Sequence, residues 1–239
     1  MINKKLHKAK STHNHCKLTI ADHIKMEKIE YPQGYSNNEA IVNALHKTKE
    51  QFDIVKKIIE NGDSPSQEYI NVFYIDAKQA ILWWIENTYV GKEKPNQIKI
   101  AFQDFYQSLY RLLRAFQKSD VCSLRQFADR ALYQGIAYRW LGYGEPCDSM
   151  EVARNVIYEN IYVSWNKKTN IPRSIKNKLY GTITQITCEI SGEYYAIDLM
   201  AFLNEPINDE DEIVFPTIKK LITKTEVITR PLNMTLDKA

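Results

Sequence analysis

The chain has 239 residues, of which 44% are hydrophobic and 11% aromatic, which is enough material for a sizeable apolar core. Its 32 Lys and Arg residues against 29 Asp and Glu residues leave a formal net charge of only +3, which does not favour a nucleic-acid partner. The four cysteines are widely separated and form no CxxC pair, which argues against a zinc module and against a disulfide-dense secreted domain. No apolar stretch is long enough for a Sec signal peptide or a membrane span, so we expect a soluble protein.

Residues 1–30 are predicted to form a mobile polar tail, because they are rich in Lys, His, Ser, Thr and Asn and show weak periodicity. The tail holds His7, His13, His15 and Cys16, whose imidazole and thiolate groups are good zinc ligands. These residues lack the paired spacing of a zinc module. A solvated tail is therefore the favoured interpretation, and no metal is expected.

Residues 31–130 are predicted to form a helical lobe, because apolar residues recur there in steps of three and four. The predicted helices cover residues 39–59, 67–89 and 98–116, and a shorter fourth helix begins at Asp120 or Ser123. Aromatic residues at this spacing indicate core packing rather than a cofactor site. Arg111 and Arg114 in the third helix are interpreted as part of a solvated face.

Residues 131–235 are predicted to form a β-rich domain, because short runs rich in Tyr, Ile, Val and Thr alternate there with Gly and Pro. The chain has no internal repeat and no glycine-rich phosphate loop. The expected fold class is α+β, with an all-helical lobe followed by a sheet. The predicted strands cover residues 135–143, 161–164, 180–189, 194–199, 212–215 and 219–229, with one helix at 149–159.

Three of these strands carry polar residues that suggest a nucleotide site. Arg139 is flanked by apolar residues, and its guanidinium suits bidentate contacts with phosphate or ribose oxygens. Ser164 ends an apolar strand, and its hydroxyl can hold an acidic side chain in position. Glu210 and Glu212 lie on one face of an extended segment, where two like charges repel unless a partner or a chemical task stabilises them. Taken singly, each residue is also explained by a salt bridge, a strand end or a solvated loop.

The combination of these residues resembles the arginine-serine-glutamate class of mono-ADP-ribosyltransferases. That family has a strand Arg, a later strand ending in a Ser motif, and a Glu-x-Glu motif that enters an apolar strand closed by Pro. The matching segments are Tyr138-Arg139-Trp140, Val163-Ser164-Trp165-Asn166 and Glu210-Asp211-Glu212-Ile213-Val214-Phe215-Pro216. Two features depart from the family, because the Ser motif lacks its Thr and second Ser, and Trp140 replaces a small residue.

The resemblance implies a split-sheet, ADP-ribosyltransferase-like core that uses NAD as its substrate. Nicotinamide would leave the ribose of NAD, so that the sugar becomes cationic in the transition state. Glu212 would stabilise this charge and bind the 2′-hydroxyl, Ser164 would orient Glu212, and Arg139 would grip the phosphate or ribose of NAD. Glu210 would receive the acceptor, which in this family goes with modification of arginine.

Further NAD contacts are implied at the Ser motif and in the basic loop that follows it. Trp165 would stack on nicotinamide, Asn166 would contact the dinucleotide, and Lys167, Lys168 or Arg173 would lie close to the phosphates. The alternatives are a buried core position for the tryptophan and a solvated basic loop. In the acidic motif, the central Asp is expected to point away from the site and to tolerate substitution.

The resemblance implies ADP-ribosyl transfer to a target protein, and two alternatives stay open: hydrolysis of NAD, and a catalytically silent binding module with the same fold. The reduced Ser motif favours the silent module. An all-helical lobe before such a core resembles bacterial effector transferases and toxins. The expected location is therefore the cytoplasm, or a host cell reached by a secretion system that needs no Sec signal. The expected partner is a target protein of a host or of the same cell.

Overall fold

The computed structural model describes residue 26 and residues 28–34, 37–87, 96–143, 164–169, 182–204, 211–215 and 224–231. These residues combine α-helices with an antiparallel β-sheet, which confirms the predicted α+β class. Helix gives way to strand between Ala131 and Leu132, where the composition of the sequence also changes. The predicted tail up to residue 25, with its histidines and Cys16, and the predicted helix at 149–159 lie outside the described residues.

Four helices precede the sheet, and their positions agree with the helical periodicity of the sequence. Side-chain caps explain two of their starts, because Asn37 accepts a hydrogen bond from Ala40 N and Ser66 accepts one from Tyr69 N. The fourth helix begins between the two predicted starts. The helices are α1 (Asn38–Glu60), α2 (Gln67–Glu86), α3 (Asn96–Gln117) and α4 (Cys122–Ala131).

Aromatic side chains form the centre of the helical lobe, as the spacing predicts. Phe102 and Phe105 of α3 are fully buried, and the Phe105 ring lies 5.4 Å from the ring of Phe52 on α1. Phe73 of α2 meets Phe116 of α3 edge to face at 5.6 Å. Such contacts add a specific geometry to the hydrophobic stabilisation, so the three long helices are held in one packing arrangement.

The described strands form a seven-stranded sheet in which every neighbouring pair is antiparallel. The order across the sheet is β1-β5-β6-β3-β2-β4-β7, so strands that are distant in sequence lie side by side at its centre. A short helix, α5 (Leu199–Leu203), follows β5 directly. The strands are β1 (Leu132–Tyr133), β2 (Gly135–Tyr143), β3 (Ser164–Asn166), β4 (Thr182–Ile190), β5 (Ala196–Asp198), β6 (Glu212–Val214) and β7 (Lys224–Pro231).

The sheet differs from the sequence prediction at three points. The two-residue strand β1 was not predicted, because such a length carries no periodicity. The predicted strand 194–199 ends at Asp198, whose carboxylate caps a helix that takes up Leu199. Ser164 does not end its strand, since β3 continues to Asn166.

One hydrophobic core runs from the helices into one edge of the sheet. Leu132 of β1, Ile197 of β5 and Val214 of β6 are buried in the same cluster as the helical aromatic residues. Phe202 of α5 joins them, 6.3 Å from the ring of Phe73. The β1-β5-β6 edge therefore packs against the helices on one face, which is called the helical face below. Division of the chain at residue 131 into two domains stays a prediction.

The segment of residues 28–34 is attached to the helices through a buried carboxylate. Asp76 of α2 is fully buried, and its Oδ1 accepts a hydrogen bond from Ile29 N at 3.1 Å. Trp83 Nε1 donates to Pro32 O at 2.8 Å, which adds a second attachment. Burial raises the pKa of Asp76 to about 6, although the Ile29 and Gln51 hydrogen bonds oppose the shift. Ile29 is itself buried, so ordered packing extends into the end of the predicted tail.

We expect the stability of the protein to fall as the pH rises through the pKa of Asp76. The folded state binds the proton of Asp76 more tightly than the unfolded state does. The stabilisation that follows from this binding is complete below the ordinary pKa of 3.8 and is lost above about pH 6. Asp76→Asn keeps the acceptor for Ile29 without the buried charge, and should raise the free energy of unfolding at about pH 8 by on the order of 1–3 kcal/mol. Urea titrations of both proteins at about pH 5 and pH 8 measure this difference. An equal effect of the substitution at both values would contradict it.

Candidate active site on the central strands

The three segments that carry the family resemblance lie on neighbouring strands at the centre of the sheet. Arg139 belongs to β2, Ser164 to β3 and Glu212 to β6, and these strands are adjacent in the order β6-β3-β2. Each is paired with the next in antiparallel register. These three segments are far apart in the sequence but lie in one region of the sheet. A site built from all three segments requires this proximity.

The register places three polar residues in one row across these strands. Asn166 of β3 lies directly opposite Glu212 of β6 and directly opposite Tyr138 of β2. Residues that are directly opposite in an antiparallel pair present their side chains on the same face, within reach of each other. Asn166 is buried, with 7% of its surface exposed, while Glu212 and Tyr138 are half-buried. The row Glu212, Asn166 and Tyr138 is the polar row referred to below.

Arg139 does not lie on the face of the polar row. Strand β2 pairs with β4 in unbroken register along its whole length, so its side chains alternate regularly between the two faces. Because Tyr138 belongs to the polar row, Arg139 lies on the opposite face, together with Trp165 and Ile213. The structure therefore brings the strands of Arg139 and Glu212 together but separates their side chains by the sheet.

Trp165 is a core residue in this structure. Only 2% of its surface is exposed, and its ring meets the ring of Phe215 edge to face at 5.2 Å. It belongs to a second apolar cluster, with Ala137, Ile186 and Cys188, on the face of Arg139. Stacking of Trp165 on nicotinamide would require this cluster to open.

Other predicted site residues are only partly described or lie outside the described residues. The backbone of Ser164 pairs with that of Val214, two residues before Asn166 on the same strand. Glu210 and Arg173 lie outside the described residues, so their roles stay predictions.

Two residues of the helical face were missed by sequence reasoning. Tyr138 was passed over because its neighbour Arg139 carried the motif, although period-two alternation means that only one of the two can face Glu212. Gln185 of β4 lies opposite Trp140 and is 2% exposed. Its Nε2 has no hydrogen-bond partner within the described part of the chain, which is costly for a buried amide. The pairing of β2 with β3 and with β4 reveals the positions of Tyr138 and Gln185, which no local sequence pattern indicates.

A buried ion pair stabilises the end of β3 beside this row. Lys167 Nζ lies 2.6 Å from Asp198 Oδ2, and 7% of the aspartate is exposed. The other oxygen of Asp198 accepts a hydrogen bond from Ala201 N at 3.0 Å and so caps α5. Lys167 N also donates to Asp211 O at 3.0 Å. Lys167 therefore connects β3 to both β5 and β6.

The next residue makes a weaker, more exposed contact with the acidic motif. Lys168 Nζ lies 2.5 Å from Asp211 Oδ2, but 59% of the lysine side chain is exposed. Lys168 N donates to Asn166 Oδ1 at 2.8 Å, which fixes the amide of Asn166. Both lysines that were predicted to lie near the NAD phosphates are thus paired with carboxylates. Asp211 takes part in this pair rather than in the polar row.

Burial raises the pKa of two neighbouring titratable groups, Cys188 and Tyr133. Burial raises the pKa of the Cys188 thiol to about 12, so this sulfur stays protonated near neutral pH. Burial is also the main cause of the raised pKa of Tyr133, whose hydroxyl donates to Ile136 O at 2.8 Å. Glu212 is the carboxylate of the polar row on the helical face.

We expect the two lysines to contribute differently to stability. Lys167→Ala leaves the buried Asp198 carboxylate without its cation, and should lower the free energy of unfolding by about 1–2 kcal/mol. Lys168→Ala removes an exposed pair and should cost less than about 1 kcal/mol. Thermal and urea unfolding of the two variants provide a matched comparison. Equal effects would show that the buried pair has no special role.

No group of three or more His, Cys, Asp or Glu side chains among the described residues is arranged to hold a metal ion. None of the described helices is long and apolar enough to cross a membrane.

No protein-family model, curated protein or solved structure matches the chain. The function proposed for it therefore rests on its own residues.

Proposed function

We propose that the protein transfers ADP-ribose from NAD to a side chain of a target protein, with release of nicotinamide. The observation that carries the proposal is the placement of Glu212 on the central strand β6, directly opposite Asn166 of the Ser-motif strand. Two motifs that are distant in sequence meet there in one register. If a residue of the neighbouring strand is to hold the Glu212 carboxylate in position, the two residues must lie opposite each other in this way.

The proposed chemistry is a substitution at the ribose carbon that carries nicotinamide. The bond from this carbon to the nicotinamide nitrogen breaks, and the electron pair leaves with neutral nicotinamide. A bond then forms to a nitrogen of the acceptor, whose proton passes to the carboxylate that the resemblance assigns to Glu210. Half-buried Glu212 stabilises the positive charge of the sugar, because a carboxylate interacts more strongly with a cation where water is partly excluded.

Asn166 takes a positioning role in this proposal. Its Oδ1 is already engaged by Lys168 N, so its amide NH₂ group is directed away from that contact, and the residue lies opposite Glu212. An amide donor beside a carboxylate can fix the orientation of that carboxylate. Asn166 would thus orient Glu212, which is the role that the resemblance implies for Ser164. Gln185 offers a further buried donor on the same face for the substrate.

A second candidate, a binding module without catalysis, is favoured by the position of Arg139. An NAD site that uses Arg139 and Glu212 together needs both side chains on one face, and strand alternation separates them. The two candidates differ in measurable activity, so they are separated by the tests that follow.

Glu212→Gln should reduce transfer of ADP-ribose by at least about 100-fold, because the amide cannot offset the charge of the sugar. Labelled NAD incubated with the protein and a cell lysate measures transfer, and chromatography measures free nicotinamide. Asp211→Asn is the matched control, since this neighbouring carboxylate pairs with Lys168 outside the polar row.

Equal labelling by wild type and Glu212→Gln would overturn the assignment of Glu212. Release of nicotinamide without labelled protein would instead identify an NAD glycohydrolase. Absence of both activities, with no thermal stabilisation by millimolar NAD, would identify the silent module.

Arg139→Lys distinguishes a ligand-binding arginine from a structural one. Because Arg139 lies on the face of the second apolar cluster, we expect the KM for NAD to change less than about threefold. The melting temperature should fall by a few degrees, since lysine cannot reproduce the planar contacts of the guanidinium. A rise in KM of about tenfold or more, with the melting temperature unchanged, would support the grip on NAD that the resemblance implies.

A further inference from the structure

A groove with a volume of about 430 Å³ lies between the C-terminal parts of α1 and α3. Four cationic residues and one carboxylate line it, so its formal charge is 4 − 1 = +3. The whole chain also carries +3, so the rest of the molecule is balanced overall. The cationic residues are Lys56, Arg111, Arg114 and Lys118, and the carboxylate is Glu60.

Lys56 is the one cation of the four that a carboxylate offsets within the described residues. Lys56 Nζ lies 3.0 Å from Glu60 Oε1, one helical turn away, so these two charges offset each other. The side chains of Arg111 and Lys118 are exposed, and neither has an ion pair or hydrogen bond within the described residues. The groove therefore presents two available positive charges.

Arg114, the remaining cation, is held in position by neighbouring side chains. Arg114 Nη1 donates to Gln117 Oε1 at 2.6 Å, and its guanidinium lies 4.4 Å from the centre of the Tyr195 ring. Gln117 is anchored in turn, because its Nε2 donates to Asp129 on α4 at 3.1 Å. An arginine fixed from two sides loses little further freedom when it binds an anion.

The groove is amphipathic, because apolar groups line it between the charges. Ile59 and Ala115 contribute aliphatic surface, and half-buried Tyr110 contributes an aromatic ring. The hydroxyl of Tyr110 is hydrogen-bonded by the backbone of Tyr195, and burial raises its pKa, so the ring is neutral near pH 7. A ligand of this groove would therefore combine negative charges with apolar groups.

The spacing of the cations favours a linear ligand over a single anion. Arg111 and Arg114 lie one turn apart on α3, Lys118 directly follows the helix, and the three residues span about 10 Å along the helix axis. A single phosphate would need donors that converge on one point. Acidic side chains on alternate residues of an extended peptide are about 7 Å apart, which suits a strip of separated cations. The low net charge of the chain argues against a nucleic acid.

We propose that this groove binds an acidic, partly apolar segment of a partner protein. The site lies on the helical lobe and does not depend on NAD chemistry. Cations near two helix C-termini also offset the helix dipoles, which explains their presence without a ligand. The experiment below separates this structural explanation from docking.

The test measures binding of a fluorescein-labelled synthetic peptide in which Glu alternates with Leu and Ala. Fluorescence anisotropy of the full chain should detect binding that weakens as salt is raised. Arg111→Glu/Lys118→Glu should weaken binding by at least about tenfold, because it places like charges against the peptide. Lys47→Glu/Arg125→Glu, on exposed positions of α1 and α4 outside the groove, changes net charge equally and should alter binding less than about threefold.

Several outcomes would overturn the proposal. Absence of peptide binding by the wild type, or equal loss in both double variants, would leave the dipole explanation. Tighter binding of pyrophosphate or single-stranded DNA than of the peptide would identify another ligand class.

If the charge reversal unfolds the protein, the variant Arg111→Gln/Lys118→Gln takes its place and should still weaken peptide binding severalfold. Glu212→Gln should bind the peptide as the wild type does, so failure of the catalytic proposal stays distinguishable.

Discussion

The burial of the β1-β5-β6 edge against the helices is the constraint on which the geometry of the candidate site depends. Val214 must face the helical core, where it packs with Ile197 and Leu132. Since side chains alternate along a strand, Glu212, two residues earlier, has to face the same side. The antiparallel register then carries this orientation to Asn166 and Tyr138. A shift of β6 by one residue would remove Val214 from the helical core and reverse Glu212, so the packing of Val214 fixes the direction of the carboxylate.

Polar contacts at the strand ends complement this apolar constraint. Lys167 connects three neighbouring strands, because its ammonium binds Asp198 of β5 and its backbone binds Asp211 before β6. Asp198 also caps α5, so one carboxylate serves a helix start and a strand end. A buried pair of this kind costs desolvation, and its value lies in the single geometry that satisfies every partner. Here that geometry holds the row of Glu212 in register.

Much of the fold follows from local patterns, and the site follows from them only in part. Helical spacing predicts α3, and Asn37 and Ser66 mark the starts of α1 and α2, because periodicity and capping are local properties. A run rich in aromatic and aliphatic residues that begins at Gly135 predicts β2 over its full length. The side of the sheet that Arg139 faces depends on the pairing of β2 with the three-residue strand β3, which no local pattern encodes. The helix α5 was missed for a related reason, since five residues show too little periodicity and its cap, Asp198, looks like a strand residue.

The groove on the helical lobe and the polar row on the sheet are connected through one short segment. Arg114 and Tyr110 of α3 both contact Tyr195, which directly precedes β5. Strand β5 pairs with β6, and Asp198 lies opposite Ile213, the residue after Glu212. The position of the groove and that of the carboxylate are therefore set by the same stretch of chain. If the proposed transferase function holds, a partner segment seated between α1 and α3 would be held at a defined distance from Glu212.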